Sequence, residues 1–257
     1  MPRTSDRRLL AKQKSKNIAA INSLTSIRQQ VRQQASDAKA VILQRFFKTA
    51  PGEYGAGDVF LGVQMPQLRL LAVQFATASQ ATILKLLQSP YHEERMLALL
   101  IFINQYNKHY NRGDAIARQE IYEAYLGHTK FINNWDLVDV SAPHIVGRHL
   151  ADKSRRILYS LATSDSLWER RIAILSTFHF IRNNDFADAL KLSRLLLGDA
   201  HDLIHKAVGW MLREIGNRDR TAEELFLKEH SQKMPRTMLR YAIEKFPNAE
   251  REKYLSR

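Results

Sequence analysis

The sequence predicts an all-α fold, a curved solenoid of stacked antiparallel helix pairs, and three observations point to it. Segments with helical apolar spacing follow one another with almost no strand pattern between them. Helix start and stop residues stand at the breaks, among them Pro66, Pro90, Asp165-Ser166, Gly198-Asp199 and Pro235. The clearest starts fall near 134, 166, 201 and 235, separations of 32, 35 and 34 residues, each enough for two helices and a turn. A period of that size without the tetratricopeptide or ankyrin consensus reads as a HEAT-like repeat.

The chain has 257 residues, 45% of them hydrophobic and 25% charged, as in an ordinary globular protein. Residues 1–17 read as a basic arm, and residues 18–257 as one helical domain. Residues 1–50 hold eleven Lys or Arg against Asp6 and Asp37, a surplus of +9 within a net charge of +13. A charge of that size favours a polyanionic partner such as nucleic acid and disfavours a protein-binding adaptor.

Along the chain, Ile18, Ile21, Leu24, Ile27 and Val31 form the first stripe, with Arg and Gln opposite. Residues 38–49 form the next helix, carrying Val41, Ile42, Leu43, Phe46 and Phe47, and Pro51-Gly52 ends it. The Gly-rich stretch from Pro51 to Asp58 is a loop: it lacks the Gly-Lys-Ser/Thr of a phosphate cradle and follows a helix instead of a strand. Helices are then expected at 66–78, 81–88, 92–110, 114–127, 134–149, 153–162, 166–183, 186–197, 201–216, 221–230 and 235–245.

Several chemistries are disfavoured by what the sequence contains. Without cysteine there are no disulfides, thiolate metal sites or cysteine nucleophiles, which fits a reducing cytoplasm. No apolar run approaches the roughly 20 residues of a membrane span. The histidines form no His-Glu-x-x-His array and Ser141 sits in no nucleophile elbow, so neither a metal nor a cofactor is expected, and acyl transfer is disfavoured. The lysine nearest the central carboxylates, Lys130, precedes its helix, which argues against a Schiff-base lyase.

The most informative stretch is Asn133 to Asp139. Asn133 or Asn134 can cap a helix, and Asp136 then sits in a first turn where the macrodipole favours negative charge. Trp135 and Asp139, four residues apart, share one exposed face, while Leu137 and Val138 point elsewhere. An indole face beside a carboxylate suits a cationic ring next to a developing positive charge. One repeat later, Trp168 reads as core and Asp165 as a cap, while Arg171 could grip a phosphate. Another repeat on, Gly209 allows close approach beside Trp210.

Taken together, Trp135-Asp136-Leu137-Val138-Asp139, Trp168-Glu169-Arg170-Arg171, Gly209-Trp210-Met211-Leu212-Arg213-Glu214 and Phe60-Leu61-Gly62-Val63 resemble the bacterial DNA alkylation-repair glycosylases of the AlkD type, from about Phe46 to the C-terminus. The resemblance implies excision of N3- or N7-alkylated purines from double-stranded DNA, with chemistry on a nucleotide that stays largely stacked; a monomer is expected. It makes Asp139 similar to the catalytic aspartate and Trp135 and Trp210 similar to the tryptophans beside the damaged nucleotide. Arg171, or Arg170 in the neighbouring register, is similar to the backbone-contacting arginine. Phe46 or Phe47 stands where the family's enzymes carry a tyrosine, so a hydroxyl is missing. The alternative is a solenoid that binds distorted or branched DNA without catalysis.

Overall fold

The computed structural model describes residues 22–256, so the basic arm and the first two residues of the leading stripe, Ile18 and Ile21, lie outside the described part. Among the described residues every regular element is helical, and the sole β feature is an isolated bridge between Val59 and Tyr91. The helices are α1 (Leu24–Gln33), α2 (Asp37–Phe46), α3 (Met65–Gln74), α4 (Gln80–Leu87), α5 (His92–Asn111), α6 (Ala115–Leu126) and α7 (Trp135–Ala142). They continue as α8 (Arg156–Ala162), α9 (Leu167–Arg182), α10 (Ala187–Leu195), α11 (Asp202–Gly216), α12 (Arg220–His230), α13 (Arg236–Ala242) and α14 (Asn248–Leu255). They stack as antiparallel HEAT-like pairs. The contacts gather into two compact units, divided between Asn134 and Trp135.

In the first unit α5 is the central helix, and α1, α3, α4 and α6 pack on it around Phe75, Leu97, Phe102 and Tyr106. The start of α5 is polar yet buried, because it fastens the preceding loop. Glu93 accepts the backbone N–H groups of Leu61, Gly62 and Val63 at 2.9, 2.7 and 3.2 Å. Asp58 accepts from Arg95, from Asn134 at 2.9 Å, and pairs with His92 at 3.0 Å. Burial alone would raise the Asp58 pKa, but the His92 hydrogen bond and the Arg95 charge outweigh it and hold the carboxyl at about 2. The 51–58 stretch is thus a loop, secured through Asp58. Helix α2 buries no residue and is held at its ends. The Ser36 N–H donates to the Leu61 carbonyl at 2.9 Å, and a Cβ on Gly62, whose φ is +81°, would come within 2.0 Å of the Ser36 oxygen.

In the second unit α7, α9, α11 and α13 pack in succession as one row, while α8, α10 and α12 pack behind them as a second. Ser166, not Asp165, caps α9, accepting the Glu169 N–H at 3.4 Å. The single helix expected over 134–149 is interrupted. Proline has no N–H to give, and from Pro143 to Gly147 the ladder widens by one residue, the Arg148 N–H reaching back to the Pro143 carbonyl. Gly147 lets this turn press on α9, since a Cβ there would stand 2.2 Å from the Ser176 oxygen. The sequence reading ended the helices at 245 and missed α14, although Pro247 before Asn248-Ala249-Glu250 is a helix-start signal.

Candidate functional site

Helix α7 sorts its side chains as its spacing requires. Leu137, Val138, Ser141 and Ala142 are buried, and Trp135, Asp136 and Asp139 lie on the less buried face. The Asn133 side-chain oxygen is buried without a hydrogen-bond partner, so Asn133 is not the expected cap. The Leu137 N–H is taken at 2.8 Å by Asp136, the local role its first-turn position suggests.

Asp139 is not a solvated carboxylate. The Arg171 guanidinium from α9 grips it with two parallel bonds, Nε to Oδ1 and Nη2 to Oδ2, both 2.8 Å. Arg171 Nη1 donates to the Leu203 carbonyl at the start of α11, and Arg171 is only 4% exposed. One arginine therefore joins three successive helices of the row. Burial pushes the Asp139 pKa up, the Arg171 charge and hydrogen bonds pull it down, and Asp136 adds to the push; the net direction is upward. The sequence offered Arg171 as a grip on phosphate; here its donors are turned to Asp139 and Leu203.

Arg170 is turned elsewhere. It donates to Asp199 at 2.7 Å and to the Ser164 and Asp165 carbonyls at 2.9 and 3.0 Å, tying the turn before α9 to the turn before α11. Of the two neighbouring arginines, Arg171 is the one that meets Asp139.

Trp210 is half-buried on α11. Its indole N–H donates to Glu214 at 3.2 Å, and its ring lies 5.6 Å from Phe178, over which Arg182 sits at 4.2 Å. Gly209 behaves as expected, because a Cβ there would meet the Met238 carbonyl of α13 at 2.4 Å. Trp168, read as core, is half-buried, as Trp210 is. It sits in the first turn of α9, and the continuously buried part of that helix begins only at Arg171 and Ile172.

Phe46 and Phe47 belong to the first unit and diverge. Phe47 is buried, stacked on Phe60 with centroids 5.0 Å apart, whereas Phe46 is 61% exposed at the end of α2. Core packing explains Phe47. It does not explain Phe46.

The sequence reading missed the Phe178–Arg182 pair, although i, i+4 spacing on α9 was available as a signal. It also missed the charge around His179, whose pKa is lowered by burial and then by the positive charges of Arg148, His144, Arg182 and Arg155. Of these, Arg182 is the one that stands over the Phe178 ring beside Trp210. Among the described residues no three His, Asp or Glu side chains converge as metal ligands, and no helix is long and apolar enough to cross a membrane.

A family model described as DNA alkylation repair enzyme matches residues 27–246. A solved structure, "Predicted DNA alkylation repair enzyme from Enterococcus faecalis", superposes with a TM-score of 0.63 at 17% identity, covering 84% of this chain and 98% of that one. At that identity the likeness speaks for the fold. No curated protein matches the chain. The family match spans most of the chain, including every α7, α9 and α11 residue discussed above, and the chain belongs to the DNA alkylation repair enzyme family.

Proposed function

We propose that this DNA-repair protein is a monofunctional DNA glycosylase that hydrolyses the N-glycosidic bond of N3- or N7-alkylated purines in duplex DNA. The observation that carries the reading is the Asp139 carboxylate, gripped on one side by Arg171 at 2.8 Å and sharing its helix face with Trp135.

Alkylation at N3 or N7 makes the purine cationic, so the C1′–N bond is weakened before the enzyme acts and no strong general acid is needed. As that bond breaks, its electron pair leaves with the base, which becomes neutral, and positive charge passes to the sugar. The Asp139 carboxylate stabilises that oxocarbenium-like sugar and orients a water toward C1′; the water's oxygen bonds to C1′ and its proton leaves to the carboxylate or solvent. Arg171 favours the ionised form of Asp139 against burial, and fixes the plane of its carboxylate. Arg171 is therefore a positioning residue. Trp135 and Trp210 hold the cationic nucleotide through their ring faces. Because alkylation supplies the leaving group's charge, the base need not be buried in a pocket, which fits chemistry without base flipping.

The test is release of 7-methylguanine from methylated duplex DNA by purified wild-type protein and by Asp139→Asn. Release by the wild type and its loss in the variant supports the reading. Binding of methylated DNA without release would make the chain a non-catalytic DNA-binding solenoid.

A further inference from the structure

The second row of helices carries a feature that excision does not use. Between α8 and α10 lies an open cleft of about 530 Å³ lined by Lys153, Arg155, Arg156, Tyr159, Asp188 and Lys191. Four of these six side chains are cations, but they are not equivalent. Arg155 is fully engaged. It donates to Asp185 and Asp188 at 2.7 and 2.8 Å and to the Leu150 and Ala151 carbonyls at 3.3 and 3.2 Å, and it lies 3.7 Å over the Phe180 ring. The Tyr159 hydroxyl donates to the other Asp188 oxygen at 2.5 Å. Arg155 thus offsets one of the two carboxylates, and the remaining negative charge stands against the three cations Lys153, Arg156 and Lys191.

What remains is a surplus of positive charge. Lys153 donates to the His149 ring at 2.8 Å, which leaves two of its three N–H groups for another acceptor. Arg156 and Lys191 are exposed at the cleft, Lys191 within reach of the Asp188 charge. Three cations at one mouth repel each other, and nothing in the packing of α8 or α10 requires them. The cleft is open, so it offers no enclosed seat for a base. It does offer separated, flexible cations.

We propose that the α8–α10 cleft binds phosphodiester groups of a DNA segment other than the one held at Trp135 and Asp139. The reason for a second segment is position. Trp135, Asp139, Arg171 and Trp210 belong to the α7, α9 and α11 row, and the cleft belongs to the row packed behind it. Two such contacts let one chain hold a second duplex while the first is searched for damage. This site stands independently of the excision reading, because none of its residues touches Asp139 or Arg171.

The experiment uses the full chain and an Arg156→Gln/Lys191→Gln variant, which removes two exposed charges and no packing. Sedimentation with excess short, undamaged duplex at low salt should show two duplexes on the wild type and one on the variant. The log–log salt slope of the weaker binding step should lose about 1.8, since each phosphate contact contributes about 0.9. Release of 7-methylguanine under saturating damaged duplex should be unchanged within twofold, which separates this site from the excision site. One duplex per chain in both proteins overturns the proposal. Saturable binding of inorganic phosphate at the Arg156 side chain, seen by NMR, with no second duplex would assign the cleft to small anions and overturn the DNA reading.

Discussion

Substituting Arg171 by Gln separates the two roles that this arginine can have. In the structure it makes two charge-assisted bonds to Asp139 and one bond to the Leu203 carbonyl, and it is buried. Each charge-assisted bond contributes about 1.5–3 kcal/mol, but burying the guanidinium itself is costly, so the net loss of stability is about 1–3 kcal/mol. For a chain of this size that lowers Tm by a few degrees. The functional effect is larger and depends on pH. Asp139 already titrates above its ordinary value of 3.8, because burial outweighs the pull of Arg171; with Arg171 gone, little opposes burial and its pKa rises further. The stability contributed by a raised carboxyl is fully present below the unfolded value and is lost as pH rises through the folded value. The variant's stability should thus fall with rising pH over a window that reaches higher than in the wild type. Single-turnover excision of 7-methylguanine, which needs the ionised carboxylate, should show its acid limb displaced to higher pH, with the rate recovering toward wild type on the alkaline side. A drop by the same factor at every pH, with the acid limb unmoved, would refute the positioning role and place Arg171 on a DNA phosphate.

Three further outcomes follow from the geometry. Asp139→Asn should lower single-turnover excision by about 10²–10³-fold at every pH, the scale of a lost electrostatic stabiliser, and should also lower Tm by a few degrees because Arg171 loses its counter-charge; wild-type rates would sink the assignment. Replacing Trp135 or Trp210 by Phe and then Leu should reduce excision in that order while Tm changes little, whereas Phe102→Leu in the core should cost about 1–2 kcal/mol in thermal unfolding; equal Tm losses at all three positions would return the tryptophans to packing. Glu223, 2% exposed, has a carboxyl pushed up to about 8 by burial, so its neutral form stabilises the fold fully below its unfolded value of 4.5 and that stability is lost as pH rises through 8. Glu223→Gln should flatten the decline in Tm between pH 5 and 8, and an unchanged profile would refute this.

Helical periodicity revealed the helix order and the Trp135–Asp139 face because both are local: a residue's neighbours at i+3 and i+4 are fixed by 1.5 Å of rise per residue. Boundaries were legible where a side chain signals them, as at Ser166, and failed where the signal acts on the ladder itself, as at Pro143. Trp168, expected in the core, is only half-buried, because hydrophobicity does not say which turn of a helix reaches its neighbours. The long-range pairing was not legible at all. Nothing in the spacing of 139 and 171 says that a carboxylate and a guanidinium will close on each other, since that depends on how successive helices of a row align. Phe46 and Phe47 make the same point: adjacent phenylalanines, one stacked in the core and one 61% exposed, are distinguished only by where α2 ends.

That closure changes what the Asp139 site can be. A carboxylate alone on an open surface would attract any cation. One already held by a buried arginine is largely neutralised at rest, and presents only its remaining lone pairs. The positive charge that such a carboxylate can still stabilise is one brought very near, at C1′ of a nucleotide stacked against Trp135, where Coulomb energy rises steeply as distance falls and water is displaced. The Asp139–Arg171 pair therefore favours a charge that develops in the transition state over diffuse attraction to basic groups in the ground state, which is the condition under which electrostatic stabilisation accelerates a reaction instead of only tightening binding. On this argument Arg171→Gln should bind undamaged duplex nearly as the wild type does while altering excision, and an equal loss in both would break it.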